Sequence, residues 1–414
     1  MELQHARCAG IDIGKKFALV AVRVAGAGRR KTKYTVNKYG SSTPEILRLR
    51  DELEAAGVTC VVMESTGEFW KPFYYALEGA SFEQVLANAR AVKNLKDNKS
   101  DVSDSRWLAD LGAFGLVKPS FVPPPAIRQL RDLTRDRSAV MRQEAKLLTR
   151  VQDVLEDAGI KLSVVASDIN GVSCRAILQA MIDGQRDPFS LAELARGRLR
   201  AKHDALTGAL TGRFTDHHAF RLRQLLAQVD QCQASADAYT ERIEQALGPY
   251  RTFRDLICTI PGVGTLTADV ITAETAADMS VFATPKRLSS WAGVSPGMNE
   301  SAGVAHQAGT GHGNKHLKAA LGQVGMGISR SKNNYLSARH HRLVARRGPL
   351  RALVATEHKV LEIIWHMATT NTPYRDLGAD YFTTRDPARA TRRAINQLHA
   401  LGYEVTLTLT PAAG

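Results

Sequence analysis

"AGIDIGKK", residues 9–16, places an aspartate inside an otherwise apolar run. The run resumes as "FALVAV", residues 17–22, and the pattern over Ala9 to Val24 predicts a β-strand in a sheet covered on both faces. In such a layer a carboxylate is costly unless a cation or hydrogen-bond donors compensate it, so Asp12 calls for a partner. Further strands are expected at Lys33 to Asn37, Val58 to Met63 and Gln84 to Asn88, with helices near Thr43 to Ala56 and Trp70 to Glu78. Residues 1–122 therefore read as an α/β domain. "FVPPPAIRQL", residues 121–130, ends it, because three consecutive prolines cannot sit inside a helix.

Composition narrows the partners. A chain of 414 residues has room for two or three domains, and 44% hydrophobic residues with only 6% aromatic suits a helix-rich protein. The net charge of +14 points to a polyanion, and residues 301–414 alone carry 15 Lys+Arg against 6 Asp+Glu. Five cysteines, odd in number and never spaced as CxxC, indicate neither a disulfide framework nor a zinc site. "MELQHARCAGID" lacks the apolar core of a signal peptide, and no 18-residue apolar run occurs. The expectation is a cytoplasmic protein with no membrane contact.

Residues 123–249 read as a helical spacer. From Ala126 to Asp157 the sequence is charged and helical, with Met141, Leu148, Val151 and Leu155 along one face. A second helix from Phe220 to Leu247 spaces Leu222, Leu225, Val229, Cys232, Ala236, Tyr239 and Ile243 by alternating threes and fours, the seam of a coiled coil. The two helices are expected to pair antiparallel or to dimerise, with an ordinary bundle core as the alternative. Residues 158–219 look irregularly helical. Residues 250–345 open with "LICTIPGVGTLTADVITAE" (256–274), two helical segments around a Pro-Gly-Val-Gly turn. The backbone amides of Gly262 and Gly264 could receive a phosphate there. Residues 346–414 form a basic extension with a last helix near Pro387 to Leu401 and a threonine-rich strand or tail.

Asp12 is not alone. "VVMESTGEFW" (61–70) ends an apolar strand at Glu64, and "NKSDVSDSRWLADL" (98–111) sets Asp101 and Asp104 three apart, on one helix face. Four converging carboxylates repel unless divalent cations neutralise them, and oxygen donors suit Mg²⁺ or Mn²⁺. Taken alone, Asp101 and Asp104 also fit a plain helix N-terminus, with Ser100 or Ser103 as cap and Asp97 as a competitor. A D-x-G strand occurs in actin-like ATPases too, but only "SDINGVS" and "MIDGQ" offer a second phosphate loop. Further on, "WAGVSPGMNESAGVAHQAGTGHGNKHLKAAL" (291–321) is glycine-rich and then basic and helical. Ser295 and Ser301 are its candidate nucleophiles, and Lys315 and Lys318 its candidate phosphate ligands.

The ordered set of Asp12, Glu64, Asp101 and Asp104, a helical spacer, "TIPGVG", "WAGVSPGMNESAG" and "GHGNKHLK" resembles the transposases of insertion-sequence family one-ten, over about residues 7–330. The resemblance implies an RNase H/RuvC-like domain whose four acids hold Mg²⁺ or Mn²⁺, followed by a mostly helical C-terminal domain. It implies that Ser301, not Ser295, attacks a DNA phosphate and forms a covalent link. It also implies a guide (bridge) RNA, donor and target DNA, and a dimer-to-tetramer assembly in which the acidic site assists from another subunit. One departure stands out: "AGVAHQAGTGHG" carries only His306 and His312 where relatives are rich in lysine and arginine. Phosphate grip then falls to Lys315, Lys318 and the cluster Arg339, Arg342, Arg346, Arg347 and Arg351. A His306/His312/His316 zinc site lacks any completing ligand pattern. The rivals are a metal-only nuclease or junction resolvase, with no covalent serine intermediate, and a nucleic-acid-binding protein without chemistry.

Overall fold

The structure is a computed structural model that describes residues 2–26, 31–64, 67–88, 101–296 and 309–408, and the backbone of 299–301 and 304–306. It divides into two compact units, Met1–Pro123 and Pro124–Gly414.

The first unit is a five-stranded mixed sheet in the order β3-β2-β1-β4-β5. Its strands are β1 (Arg7–Ile13), β2 (Phe17–Val24), β3 (Lys33–Gly40), β4 (Cys60–Glu64) and β5 (Glu83–Ala87). β1, β2 and β3 pair antiparallel in sequence, whereas β4 lies parallel to β1 and β5 parallel to β4. The single strand expected from Ala9 to Val24 is in fact this first hairpin. "GKK" (14–16) turns the chain, and the Gly14 amide donates to the Phe17 carbonyl at 2.9 Å. An uninterrupted apolar count cannot see such a turn, because both arms are buried and equally rich in Val, Leu and Ala.

One face of the sheet packs on α1 (Thr43–Ala55) and α2 (Trp70–Leu77), through Ile11, Val61 and Met63 against Leu49, Leu53 and Phe73. The other face, bearing Cys8, Cys60 and Val62, is covered by α3 (Asp101–Ala113) through Leu108 and Leu111. Here the opening motif acquires its second meaning. A Cβ at Gly10 would lie 2.1 Å from the Ser105 carbonyl and 2.5 Å from the Ala109 nitrogen, so the helix backbone rides directly on β1. Arg23 on β2 donates to Asp110 at 2.8 Å, Tyr34 on β3 donates to the same oxygen at 2.5 Å, and the helix is thereby tied across three strands.

The second unit is helical apart from one short hairpin among its described residues. α4 (Pro125–Asp157) and α9 (Asp216–Ala246) pack together, and His218 against Asp157 at one end with Arg137 against Thr240 at the other makes them antiparallel. The heptad seam is the buried stripe, from Leu222 through Ile243, with Tyr239 half-buried. The segment between them, which showed no clean periodicity, forms α5 (Leu162–Val165), α6 (Val172–Ile182), α7 (Pro188–Glu193) and α8 (His203–Leu210). Its Ile177, Leu178, Met181 and Leu206 share one core with Val151, Leu222 and Leu226, so these short helices cap the long pair.

The rest comprises α10 (Arg251–Cys258), α11 (Thr265–Thr275), α12 (Pro285–Trp291), the hairpin β6 (Asn299–Ser301) and β7 (Val304–His306), and α13 (Lys315–Arg330). α14 (Tyr335–Arg347), α15 (Pro349–Thr370), α16 (Tyr381–Thr384) and α17 (Pro387–Ala400) complete it. The described part of the threonine-rich tail, 401–408, forms no strand. No helix of the described residues is long and apolar enough to cross a membrane.

Because Gly10 has no room for a side chain, Gly10→Val is expected to push α3 off the sheet at a cost of about 3 kcal/mol or more. Thermal unfolding of the purified variant reads it, and an unchanged melting temperature would mean that the helix does not need that contact.

Candidate catalytic centres

Register brings the four acids to one end of the sheet. β1 and β4 run parallel with Cys8 beside Cys60, Gly10 beside Val62 and Ile11 beside Met63, so Asp12 and Glu64 are the next step of the same ladder. Side chains alternate along a strand, which puts Asp12 and Glu64 on the face that already bears Cys8, Gly10, Cys60 and Val62. That is the face covered by α3. On the helix, Ser105, Leu108, Ala109 and Gly112 touch the sheet, and a Cβ at Gly112 would meet Val62 at 2.4 Å and Cys8 at 2.6 Å. One turn before Ser105 and Leu108 on the same stripe lie Asp101 and Asp104, in the first turn of α3.

Gly10 faces Ser105 and Ala109, so moving two residues along β1 to Asp12 corresponds to moving about one turn back along α3. All four carboxylates thus share one face and the carboxyl end of the two central strands, the ordinary place for a ligand in such sheets. Asp12, Glu64 and Asp104 are half-buried and Asp101 is exposed. The donor set is all oxygen, the type that suits a hard divalent cation, while among the described residues no three of these acids bring carboxylate oxygens within 4.8 Å of one another. Asp97 and Ser100, the other carboxylate and a possible cap, lie outside the described residues. At the opposite end of the strands, a hydrogen bond to Cys60 and burial both push the Cys8 thiol far up, so this thiol stays protonated.

The second region lies in the helical unit. Ser301 is the last residue of β6 and pairs with Val304 across the hairpin, while its side chain lies outside the described residues, as do the side chains of His306 and the residues around it. Ser295 sits half-buried in the bend before Pro296. The hairpin's stem is well defined. Pro296 bridges to Thr310, Asn314 donates its amide to the Trp291 carbonyl at 3.2 Å, and the backbones of Gly293 and Gly313 touch.

From this stem α13 begins directly. Asn314 caps it, its side-chain oxygen accepting from the His316 and Leu317 amides at 3.0 and 3.1 Å. Lys315 is exposed at the first turn, and Lys318 donates to the Thr310 hydroxyl at 2.8 Å. His316 is held below its ordinary value, first by burial and then by the Arg135 charge, so it is neutral near pH 7. Of the expected basic cluster, Arg339 donates to the Ala355 carbonyl at 3.0 Å, and Arg342 lies 5.0 Å from the Phe382 ring centre. Arg346 and Arg347 are exposed at the end of α14.

At the glycine turn the two glycines differ. Gly262 has a left-handed φ of +85°, and a Cβ there would lie 2.9 Å from Ile328, so it is a turn and packing residue against α13. Gly264 faces open space at the N-terminus of α11.

The Glu274 side chain, fully buried at the end of α11, escaped the reading of the sequence. It takes two hydrogen bonds from Arg135, at 2.7 and 2.8 Å, and one from Asn314 at 2.7 Å, with Arg131 at 3.4 Å. Burial alone would raise its carboxyl, but the Arg135 hydrogen bonds and the two guanidinium charges outweigh that, and the group stays ionised. Its sequence signal was an acid near the end of a short helix of mostly apolar residues and threonines that also holds Asp269.

A transposase family model for the DEDD domain of IS110 elements matches residues 9–160, which contain all four acids. A second, for transposases of the IS116/IS110/IS902 family, matches residues 254–341 and contains Ser301, Lys315 and Lys318. The chain belongs to the IS110 family of transposases. A curated relative, the transposase for insertion sequence element IS1111A of Coxiella burnetii (strain RSA 493 / Nine Mile phase I), is 24% identical over 330 residues, covering 77% of this chain and 80% of that protein. The match to a DEDD transposase domain implies dependence on a divalent metal, and IS110 transposases act on DNA.

Beneath the glycine turn, burial lifts the Asp269 carboxyl from the ordinary 3.8 to about 6, while Arg254, at 3.7 Å, only partly offsets it because its closer bonds go to Glu244 and Asp255. A raised folded-state value favours the protonated form, so the stability this group contributes is present at low pH and is lost as pH rises through about 6. Asp269→Asn should therefore gain melting temperature relative to wild type between pH 4.5 and 7.5, by the equivalent of roughly 2 kcal/mol. Paired thermal melts at the two pH values check it, and a constant difference would contradict the assigned burial.

Proposed function

We propose that the chain recombines DNA by strand exchange through a covalent serine intermediate, guided by an RNA, with a Mg²⁺ or Mn²⁺ site on Asp12, Glu64, Asp101 and Asp104. The observation that supports the reading is the register that carries Asp12 and Glu64 to the same end of β1 and β4, with Asp101 and Asp104 in the first turn of the helix covering that face, in a chain whose second matched region contains the Ser301 hairpin. Two transposase models on one chain favour a two-centre enzyme over a lone nuclease domain.

In this reading the Ser301 hydroxyl attacks a DNA phosphorus. An Oγ–P bond forms, one P–O bond of the strand breaks, and the freed strand end leaves as a hydroxyl with the proton that the serine gives up. Attack by the hydroxyl of the other DNA reverses the step: the Oγ–P bond breaks, the serine regains a proton and the strands are joined anew. No bond energy is lost, which suits rejoining without a cofactor. Lys315, Lys318, Arg342, Arg346 and Arg347 hold phosphates, with Arg339 positioned against α15 nearby. The backbone of Gly264 at the α11 N-terminus is a further phosphate contact, and Gly262 shapes the turn that presents it.

Asp12, Glu64, Asp101 and Asp104 would hold the cation through their carboxylate oxygens and orient the strand beside it. When bound, the divalent ion neutralises phosphate charge and stabilises the leaving oxygen. Sequence choice then belongs to base pairing with a guide RNA, while the basic surface reads backbone and shape. The pairing of donor and target DNA calls for at least two copies of the chain, as a dimer or tetramer, and allows the acidic site of one copy to serve the serine of another.

The test uses purified protein with its element-derived RNA, Mg²⁺ and labelled DNA. Wild type is expected to give a covalent protein–DNA adduct on a denaturing gel, absent from Ser301→Ala and reduced at least about a hundredfold in Asp12→Asn. Cleavage without an adduct that survives Ser301→Ala would replace this reading with a metal-only nuclease.

A further inference from the structure

At the base of the Ser301 hairpin lies a buried polar junction. Asn314 stands where the hairpin's return strand becomes α13, and it uses both ends of its amide. Its oxygen caps the helix at 3.0 and 3.1 Å, and its nitrogen donates to Glu274 at 2.7 Å. Glu274 in turn is gripped by Arg135 through Nε and one terminal guanidinium nitrogen, and Arg131 donates to the Ala273 and Glu274 backbone carbonyls at 3.0 and 2.5 Å. A chain of hydrogen bonds therefore runs from the spacer helix α4, through the end of α11, to the base of the hairpin. The Glu274 side chain is fully buried, and a buried ionic cluster of this kind gives little net stability compared with apolar packing. Its best-attested use is to fix one register among several, because any shift leaves a charge without its partner.

We propose that Glu274 and Asn314 are positioning residues that lock the hairpin β6–β7, and with it Ser301, in one register against the spacer helix. This rests on the reading of Ser301 as nucleophile. The Gly293–Gly313 backbone contact and the Pro296–Thr310 bridge hold together the two ends of chain that lead to β6 and β7, and the Asn314–Glu274 bond at their foot ties those ends to α4 through Arg135. Movement of the spacer upon assembly would then reach the nucleophile directly.

The test exchanges donor and acceptor. Asn314→Asp keeps a good helix cap but sets a carboxylate against Glu274. Glu274→Gln keeps the size but presents a donor nitrogen to Asn314. The double variant restores one donor facing one acceptor. Each single variant is expected to lower the rate of adduct formation on the order of tenfold to a hundredfold with DNA affinity unchanged, and the double variant to recover most of it. A merely stabilising role would move melting temperature instead, so backbone amide exchange across residues 299–306 is measured alongside, with faster exchange expected in Asn314→Asp and a return in the double variant. That exchange readout does not need the serine to be the nucleophile. If Ser301→Ala still forms adduct, the reading of the serine fails while the clamp is judged by exchange alone. Wild-type exchange in Asn314→Asp, or a double variant no better than the single ones, would overturn the clamp.

Discussion

The N-terminal unit depends on the bare backbone contact between Gly10 and the Ser105–Ala109 turn of α3. Close packing there does more than fill the interior. It fixes the height at which the helix crosses β1, and through the pitch of helix and strand it fixes which residues meet at the open end. With a side chain at position 10 the helix would stand away from the sheet, and its first turn, with Asp101 and Asp104, would move relative to the ends of β1 and β4. The Arg23–Asp110–Tyr34 bonds hold the same helix against sliding along the sheet. Neutral packing and one ion pair thus set where the first turn of α3 lies along the sheet.

The helical unit solves a similar problem with charge. Its long antiparallel pair is an apolar seam capped by four short helices, and the chain leading to Ser301 comes off the start of α13 at Asn314. Glu274 supplies the fastening from below. A carboxylate ionised in a dry site is tolerable only because two arginines and one asparagine surround it, and that requirement for several simultaneous partners makes the arrangement specific.

Much of this was legible in the sequence, for identifiable reasons. Asp12 announced itself because a charge interrupts a buried strand, and Glu64 because it ends one. The seam from Leu222 to Ile243 was legible because three-four spacing is a property of the helix itself. The turn at residues 14–16 was hidden, since "GKK" between two equally apolar arms does not break a hydrophobicity count. The short helices between residues 162 and 210 were hidden because each is too brief to show a period, and their common core exists only once α4 and α9 are brought together. Arg131 and Arg135 looked like any arginines on a charged helix, and nothing in their neighbourhood names Glu274, some 140 residues away. Long-range polar pairs leave no local pattern.

The central claim is that β1, β4 and α3 build one divalent-metal site from four carboxylates, and direct binding tests it without any DNA. Mn²⁺ binding to the full-length protein, followed by water-proton relaxation or calorimetry, should weaken at least about tenfold in each of Asp12→Asn, Glu64→Gln, Asp101→Asn and Asp104→Asn. Melting temperatures without metal should hold or rise, because removing one of four like charges relieves repulsion. Undiminished Mn²⁺ binding in Asp12→Asn and Asp104→Asn, with the fold intact, would contradict the account.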